Sequence, residues 1–133
     1  MIDTHLHLDD PTFDGIVDEV IDKMTLCGVK CAINNSCDRK TMHSGVALAD
    51  KYPQIYATVG MHPHDSKDFD DGFVADMYTL AANPKVVAVG EIGLDYHYDL
   101  SDRKIQRDVF ARQIEIADEL HLPLTLHIRE AYG

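Results

Sequence analysis

Short apolar runs alternate with longer amphipathic stretches along the whole chain, and this alternation limits the possible architecture more than any other feature. Ile2 to His7 reads as a strand. Gly15 to Cys27 sets Ile16, Val17, Val20, Ile21 and Met24 on one stripe at i, i+3 and i, i+4 spacing, which predicts a helix stopped by Gly28. Val29 to Ile33 is a second strand, and Asp38 to Lys51 a second helix closed by Pro53. Ile55 to Val59 is a third strand. Gly72 to Ala82 is a third helix, ended by Asn83-Pro84. Val86-Val87-Ala88-Val89 is a fourth, fully apolar strand. A long helix runs from about Asp102 to Leu120, with Ile105, Val109, Ile116 and Leu120 on one side and Arg107, Asp108, Arg112, Glu115 and Asp118 more exposed. Leu122 to Ile128 is a fifth strand.

Strands and helices in strict alternation, with apolar strands, imply a parallel sheet covered by helices. A doubly wound sheet and a (β/α)8 barrel both satisfy this, and both place functional residues at the carboxyl ends of the strands. The 133 residues suffice for one domain with a real core, and 45% hydrophobic with 26% charged residues is a globular composition. No stretch approaches the roughly 20 apolar residues of a membrane span. The opening Met1-Ile2-Asp3 has neither the basic start nor the apolar core of an export signal, so a cytoplasmic setting with no membrane partner is expected. Cys27, Cys31 and Cys37 form no CxxC pair and read as free thiols. A formal net charge of −11 argues against a broad, non-specific nucleic-acid surface. It leaves room for a nucleic-acid enzyme, because bound divalent cations reverse the field inside a pocket. No Gly-rich fingerprint follows the first strand, which removes the support for dinucleotide binding.

Polar residues gather at one end of these strands. The first ends in His5-Leu6-His7, where i and i+2 share a face and two imidazoles can converge on one metal ion. The third leads into Met61-His62-Pro63-His64-Asp65, the fourth into Gly90-Glu91-Ile92-Gly93-Leu94-Asp95-Tyr96, and the fifth into His127-Ile128-Arg129-Glu130. Any one of these alone is compatible with a solvated or core-satisfied side chain. Together, four metal-competent groups (His5, His7, Glu91 and His127) at the same end of strands one, four and five point to a divalent-metal site. Imidazole with carboxylate suits Zn or Mn, and carboxylate with water suits Mg. A carboxylate can also bridge two ions about 3.5–4 Å apart, as in two-metal hydrolases.

The segments Ile2-Asp3-Thr4-His5-Leu6-His7-Leu8-Asp9, Gly60-Met61-His62-Pro63-His64 and Val89-Gly90-Glu91-Ile92-Gly93-Leu94-Asp95-Tyr96 stand in this order along the chain. Leu122-Pro123 and His127-Ile128-Arg129-Glu130-Ala131 follow them. With Gln106, Phe110 and Gln113, they resemble the TatD family of metal-dependent deoxyribonucleases, within the amidohydrolase-like metal hydrolases. The resemblance implies a TIM-type (β/α)8 barrel and two divalent ions (Mg, Mn or Zn). His5 and His7 would hold the first ion, Glu91 would bridge, and His127 would hold the second. It also implies that His62 contacts the scissile phosphate or assists the leaving group, with His64 in support. Arg129 either neutralises phosphate charge or pairs with a nearby acid.

The activity implied is hydrolysis of DNA by a two-metal-activated water. Hydrolysis of another ester, such as an aminoacyl-tRNA-type ester, is the alternative within enzymes. Members of the family are about twice as long, near the ~250 residues of a whole barrel. The chain therefore supplies about the first five strands and four helices, as a single truncated domain over residues 1–133. The resemblance implies a further metal-binding His and an Asp on later strands. Open strand edges and a wet inner face then call for self-association or a separate second half. A non-catalytic fragment or assembly partner is the third expectation.

Overall fold

The computed structural model describes residues 1–132. Its order is β1 (Ile2–Leu6), α1 (Val17–Leu26), β2 (Cys31–Asn34), α2 (Arg39–Lys51), β3 (Ile55–Val59), α3 (Asp71–Ala81), β4 (Val86–Asp95), α4 (Arg103–Leu120) and β5 (Leu124–Arg129). Short 3-10 turns at Pro11–Phe13 and Pro63–Asp68 follow β1 and β3. Aspartates start three of the helices. Asp38 accepts Thr41 N–H at 2.7 Å while Thr41 Oγ1 accepts Asp38 N–H at 2.8 Å, a reciprocal cap for α2. Asp70 caps α3 through Phe73 N–H, and Asp102 caps α4 through Lys104 and Ile105 N–H.

All four strand pairs are parallel, and the order is β1-β2-β3-β4-β5. This decides between the two architectures, because a doubly wound sheet reverses its order at a switch point and a barrel wall does not. Three strand spacings separate β1 from β4, about 14 Å in a flat sheet. Yet His5 Nε2 and Glu91 Oε2 meet at 3.1 Å, so the wall curls inward at its carboxyl end. Phe73, Met42, Met77, Ile55, Ile92 and Ile116 are among the fully buried side chains between sheet and helices. The central β3 and β4 are almost wholly buried. The outer strands are not: β1 is exposed over Ile2–His5, and β5 is half-buried with Leu126 exposed.

Two elements differ from the sequence pattern. The fourth strand does not end at Val89 but runs on to Asp95, paired to β5 as far as Asp95 with Arg129. Gly90 and Gly93 look like turn signals, yet each marks a close backbone approach. A Cβ on Gly90 would lie 1.7 Å from Thr125 Oγ1, and one on Gly93 would lie 2.0 Å from the His127 carbonyl oxygen. The inward face of α4 is also rotated. Gln106, Val109, Gln113 and Ile116 are buried, while Ile105 is exposed. The two glutamines pack inward because each satisfies main-chain groups at the strand ends. Gln113 accepts Met61 N–H at 2.7 Å and donates to Met61 O at 3.1 Å. Among the described residues, no helix is long and apolar enough to cross a membrane.

Candidate metal centre

The strand ends are tied to one another before any side chain reaches inward. Asn35 N–H donates to Leu6 O, His62 N–H to Cys37 O, and Glu91 N–H to Ser36 O, at 2.7–2.9 Å. Beneath Glu91, Ser36 Oγ donates to the carbonyls of Gly60 (2.9 Å) and Gly90 (2.8 Å), and Thr58 Oγ1 donates to Gly90 O as well. Ser36 and Thr58 are buried, so these hydroxyls hold β2, β3 and β4 together where the site begins.

Six of the seven residues expected from the sequence line one cavity of about 380 Å³, formed by His5, His7, Cys37, His62, His64, Asp65, Glu91 and His127. The buried Glu91 carboxylate is at its centre. Oε2 lies 3.1 Å from His5 Nε2 and 3.7 Å from His7 Nε2. Oε1 lies 3.0 Å from His127 Nδ1 and 4.0 Å from His62 Nε2. His7 donates Nδ1–H to the Asn35 carbonyl at 2.9 Å, which leaves its Nε2 lone pair facing Glu91. His5, His7 and Glu91 each offer a ligand atom within 4.8 Å of the others. Two imidazole nitrogens and a carboxylate oxygen form a donor set suited to Zn or Mn. The residues therefore fit a divalent cation.

His62 is buried, and its Nδ1 accepts His64 N–H at 3.2 Å, so the ring proton is on Nε2, toward Glu91. Burial first, and then the neighbouring His127, push its imidazole down to about 4. It is a neutral hydrogen-bond donor near pH 7. Burial first, and then Glu91, push the Cys37 thiol up to about 12. Cys37 Sγ stands 4.0 Å from His7 Nδ1 as an unionised neighbour.

Arg129 is the expected residue that lies outside the cavity. It is exposed, with its guanidinium 4.7 Å from the Tyr98 ring, and Tyr98 in turn packs edge-on against His64 at 5.6 Å. Ser36 and Thr58 belong to the site's framework and carry no strong sequence signal of their own; Asp95, which stands in the family-like segment Val89–Tyr96, joins them without a role legible from the sequence. The polar run Asn34-Asn35-Ser36 directly after the apolar residues of the second strand is the sequence signal that could have marked the β2 contribution.

A parallel barrel wall whose strand ends converge histidines on one carboxylate defines a (β/α)-barrel segment with a metal-type centre. The chain belongs to the TatD family: the family described as TatD related DNase matches residues 2–133. It is 39% identical over 131 residues to the uncharacterized metal-dependent hydrolase YabD of Bacillus subtilis, covering 98% of this chain and 51% of that one. It is 33% identical over 132 residues to the 3'-5' ssDNA/RNA exonuclease TatD of Salmonella typhimurium, covering 99% and 51%. The crystal structure of YjjV, a TatD homolog from Escherichia coli K12, superposes with a TM-score of 0.90 at 32% identity, over 98% of this chain and 51% of that one. The chain thus spans about half the length of the curated relatives it matches, and its five strands are part of a TIM-type barrel.

Proposed function

We propose that this chain carries the amino-terminal half of the active site of a metal-dependent nuclease that hydrolyses DNA phosphodiester bonds. One observation carries the reading. The two oxygens of Glu91 face different partners, His5 and His7 on one side and His127 on the other. That is how a carboxylate bridging two cations is placed. His5 and His7 would hold one divalent ion with Glu91, and His127 with Glu91 the other. Such ions supply Lewis acidity toward a phosphoryl oxygen and a more acidic water.

The chain's own groups prepare the rest. The Asn35 carbonyl fixes the tautomer of His7. Ser36 and Thr58 hold the backbone at Gly90 and so aim Glu91. His62 presents Nε2–H to the cavity as a neutral hydrogen-bond donor for a phosphoryl or leaving oxygen, the ring carrying no second proton near pH 7. Arg129 meets a flanking phosphate from the rim. The names of the relatives YabD and TatD support a hydrolase and a nuclease, respectively.

The test is cleavage of a labelled single-stranded oligonucleotide with manganese or zinc supplied. Glu91→Ala and His127→Ala are compared with the wild type, each checked for native circular dichroism. Loss of metal-dependent cleavage in both supports the assignment. Undiminished cleavage in both refutes it, and no cleavage by the wild-type chain supports the non-catalytic-fragment reading for these 133 residues. The net charge of −11 favours a second reading, a smaller ester substrate at the same centre. Faster turnover of a simple ester than of the oligonucleotide selects it.

A further inference from the structure

Asp95 ends β4 and is fully buried, and both of its oxygens are used. Oδ1 accepts the main-chain N–H groups of His97 (3.1 Å) and Tyr98 (2.9 Å). Oδ2 lies 2.9 Å from Nε2 of His64 and 2.9 Å from Nε2 of His127. Gln106 holds the Asp95 main chain in place, accepting its N–H at 2.8 Å and donating to its carbonyl at 3.1 Å. Four nitrogen atoms thus surround the Asp95 carboxylate, and an aspartate is ordinarily ionised at neutral pH. An ionised carboxylate only accepts hydrogen bonds. The protons of both rings are therefore on Nε2. In a neutral ring the lone pair is then on Nδ1, and for His127 that atom is 3.0 Å from Glu91 Oε1. Two acceptor atoms that close repel unless a cation or a proton lies between them.

We propose that Asp95 is a positioning residue that fixes the Nε2–H tautomer of His127, so that Nδ1 faces Glu91 as the metal-binding atom, and that it ties His64 in the same way. The metal part of this inference rests on the function proposed above. The tautomer part does not. The inference also sorts the histidines. His62, His64 and His127 bring ring nitrogens within 4.8 Å of one another, a spacing that would itself suit an ion. Asp95 engages Nε2 of two of them, and His64 N–H engages Nδ1 of the third. The trio is a hydrogen-bonded scaffold beside the Glu91 centre, and a ligand to His127 enters at Nδ1.

The experiment uses the uniformly ¹⁵N-labelled chain, stripped of metal, at an alkaline pH where imidazoles are neutral. Long-range ¹H–¹⁵N correlation spectra report which ring nitrogen carries the proton. His127 and His64 are both expected as Nε2–H. In Asp95→Asn the carboxamide turns its NH₂ toward the rings, because its oxygen still serves the His97 and Tyr98 N–H groups. The proton of His127 is then expected on Nδ1, and zinc binding, titrated calorimetrically, is expected to weaken by about ten- to a hundredfold. A wild-type His127 protonated on Nδ1 overturns the proposal, and so does a folded Asp95→Asn with unchanged tautomers or unchanged zinc affinity. If Asp95→Asn does not fold, the wild-type spectrum alone decides. A wild-type chain that binds no zinc refutes the metal reading, while the tautomer assignment still stands or falls on the spectrum.

Discussion

Replacing Gly93 by Ala should damage the fold and the centre together. Gly93 pairs in register with His127. Its φ is +147°, and an added Cβ would meet the His127 carbonyl oxygen at 2.0 Å, its carbon at 2.9 Å and its nitrogen at 3.2 Å. Against an ordinary contact of about 3.5 Å, the overlap with backbone is about 1.5 Å, and no side chain can swing away to relieve it. The unfavourable φ costs about 1–3 kcal/mol. Overpacking against a fixed strand costs about another 1–3 kcal/mol. The sum, about 2–6 kcal/mol, is a large share of a typical domain's 5–15 kcal/mol. If β5 yields instead, His127 moves by about 1 Å, enough to break its 3.0 Å approach to Glu91 and its 2.9 Å bond to Asp95. The assay is urea denaturation followed by far-ultraviolet circular dichroism, since the chain has no tryptophan, together with zinc titration. Gly15→Ala is the control. Its φ is +79° and nothing lies within 4 Å, so it carries backbone strain without the clash. A Gly93→Ala variant no less stable than Gly15→Ala, with unchanged zinc affinity, refutes the reasoning.

Gln113→Ala leaves Met61 N–H and C=O without their partner in a buried site, and a loss of about 2–4 kcal/mol is expected in the same denaturation assay. The metal-free protein should lose stability as pH falls from about 6.5 toward about 4. In that window the unfolded chain binds a proton at His62 that the folded protein refuses, so the contribution is complete above about 6.5 and erodes below it. Urea midpoints across a pH series check this, and the slope should flatten in His62→Gln. Asp95 contributes at still lower pH: its stabilisation is present above about 3.8 and is lost only as pH falls below that. Ile2 and Leu126 are 61% and 53% exposed on the two outer strands, and the 133-residue chain is expected to self-associate through those edges. A monodisperse monomer by light scattering, with a cooperative melt, would count against that.

The periodicity of the sequence determined the number, type and order of the strands and long helices, because apolar runs and 3.6-residue stripes are local properties. The same was true of most of the side chains that meet in the cavity. His5 and His7 share a strand face two residues apart, and Glu91 and His127 follow apolar runs that any parallel sheet would align. Other features depended on residues far apart in the chain. Only the sheet order separated a barrel wall from a doubly wound sheet, since both write the same alternation. Only the β4–β5 approach showed that Gly90 and Gly93 sit inside a strand, because a glycine needed for clearance and one needed for a turn look alike in one dimension. The burial of Gln106 and Gln113 in place of Ile105 followed from main-chain groups at the ends of β3 and β4 that needed partners. Asp95 had no legible role until the fold brought His64 and His127, 31 and 32 residues away on opposite sides in sequence, to one of its oxygens. A hydrogen bond is set by distance in space, and that distance is decided by packing.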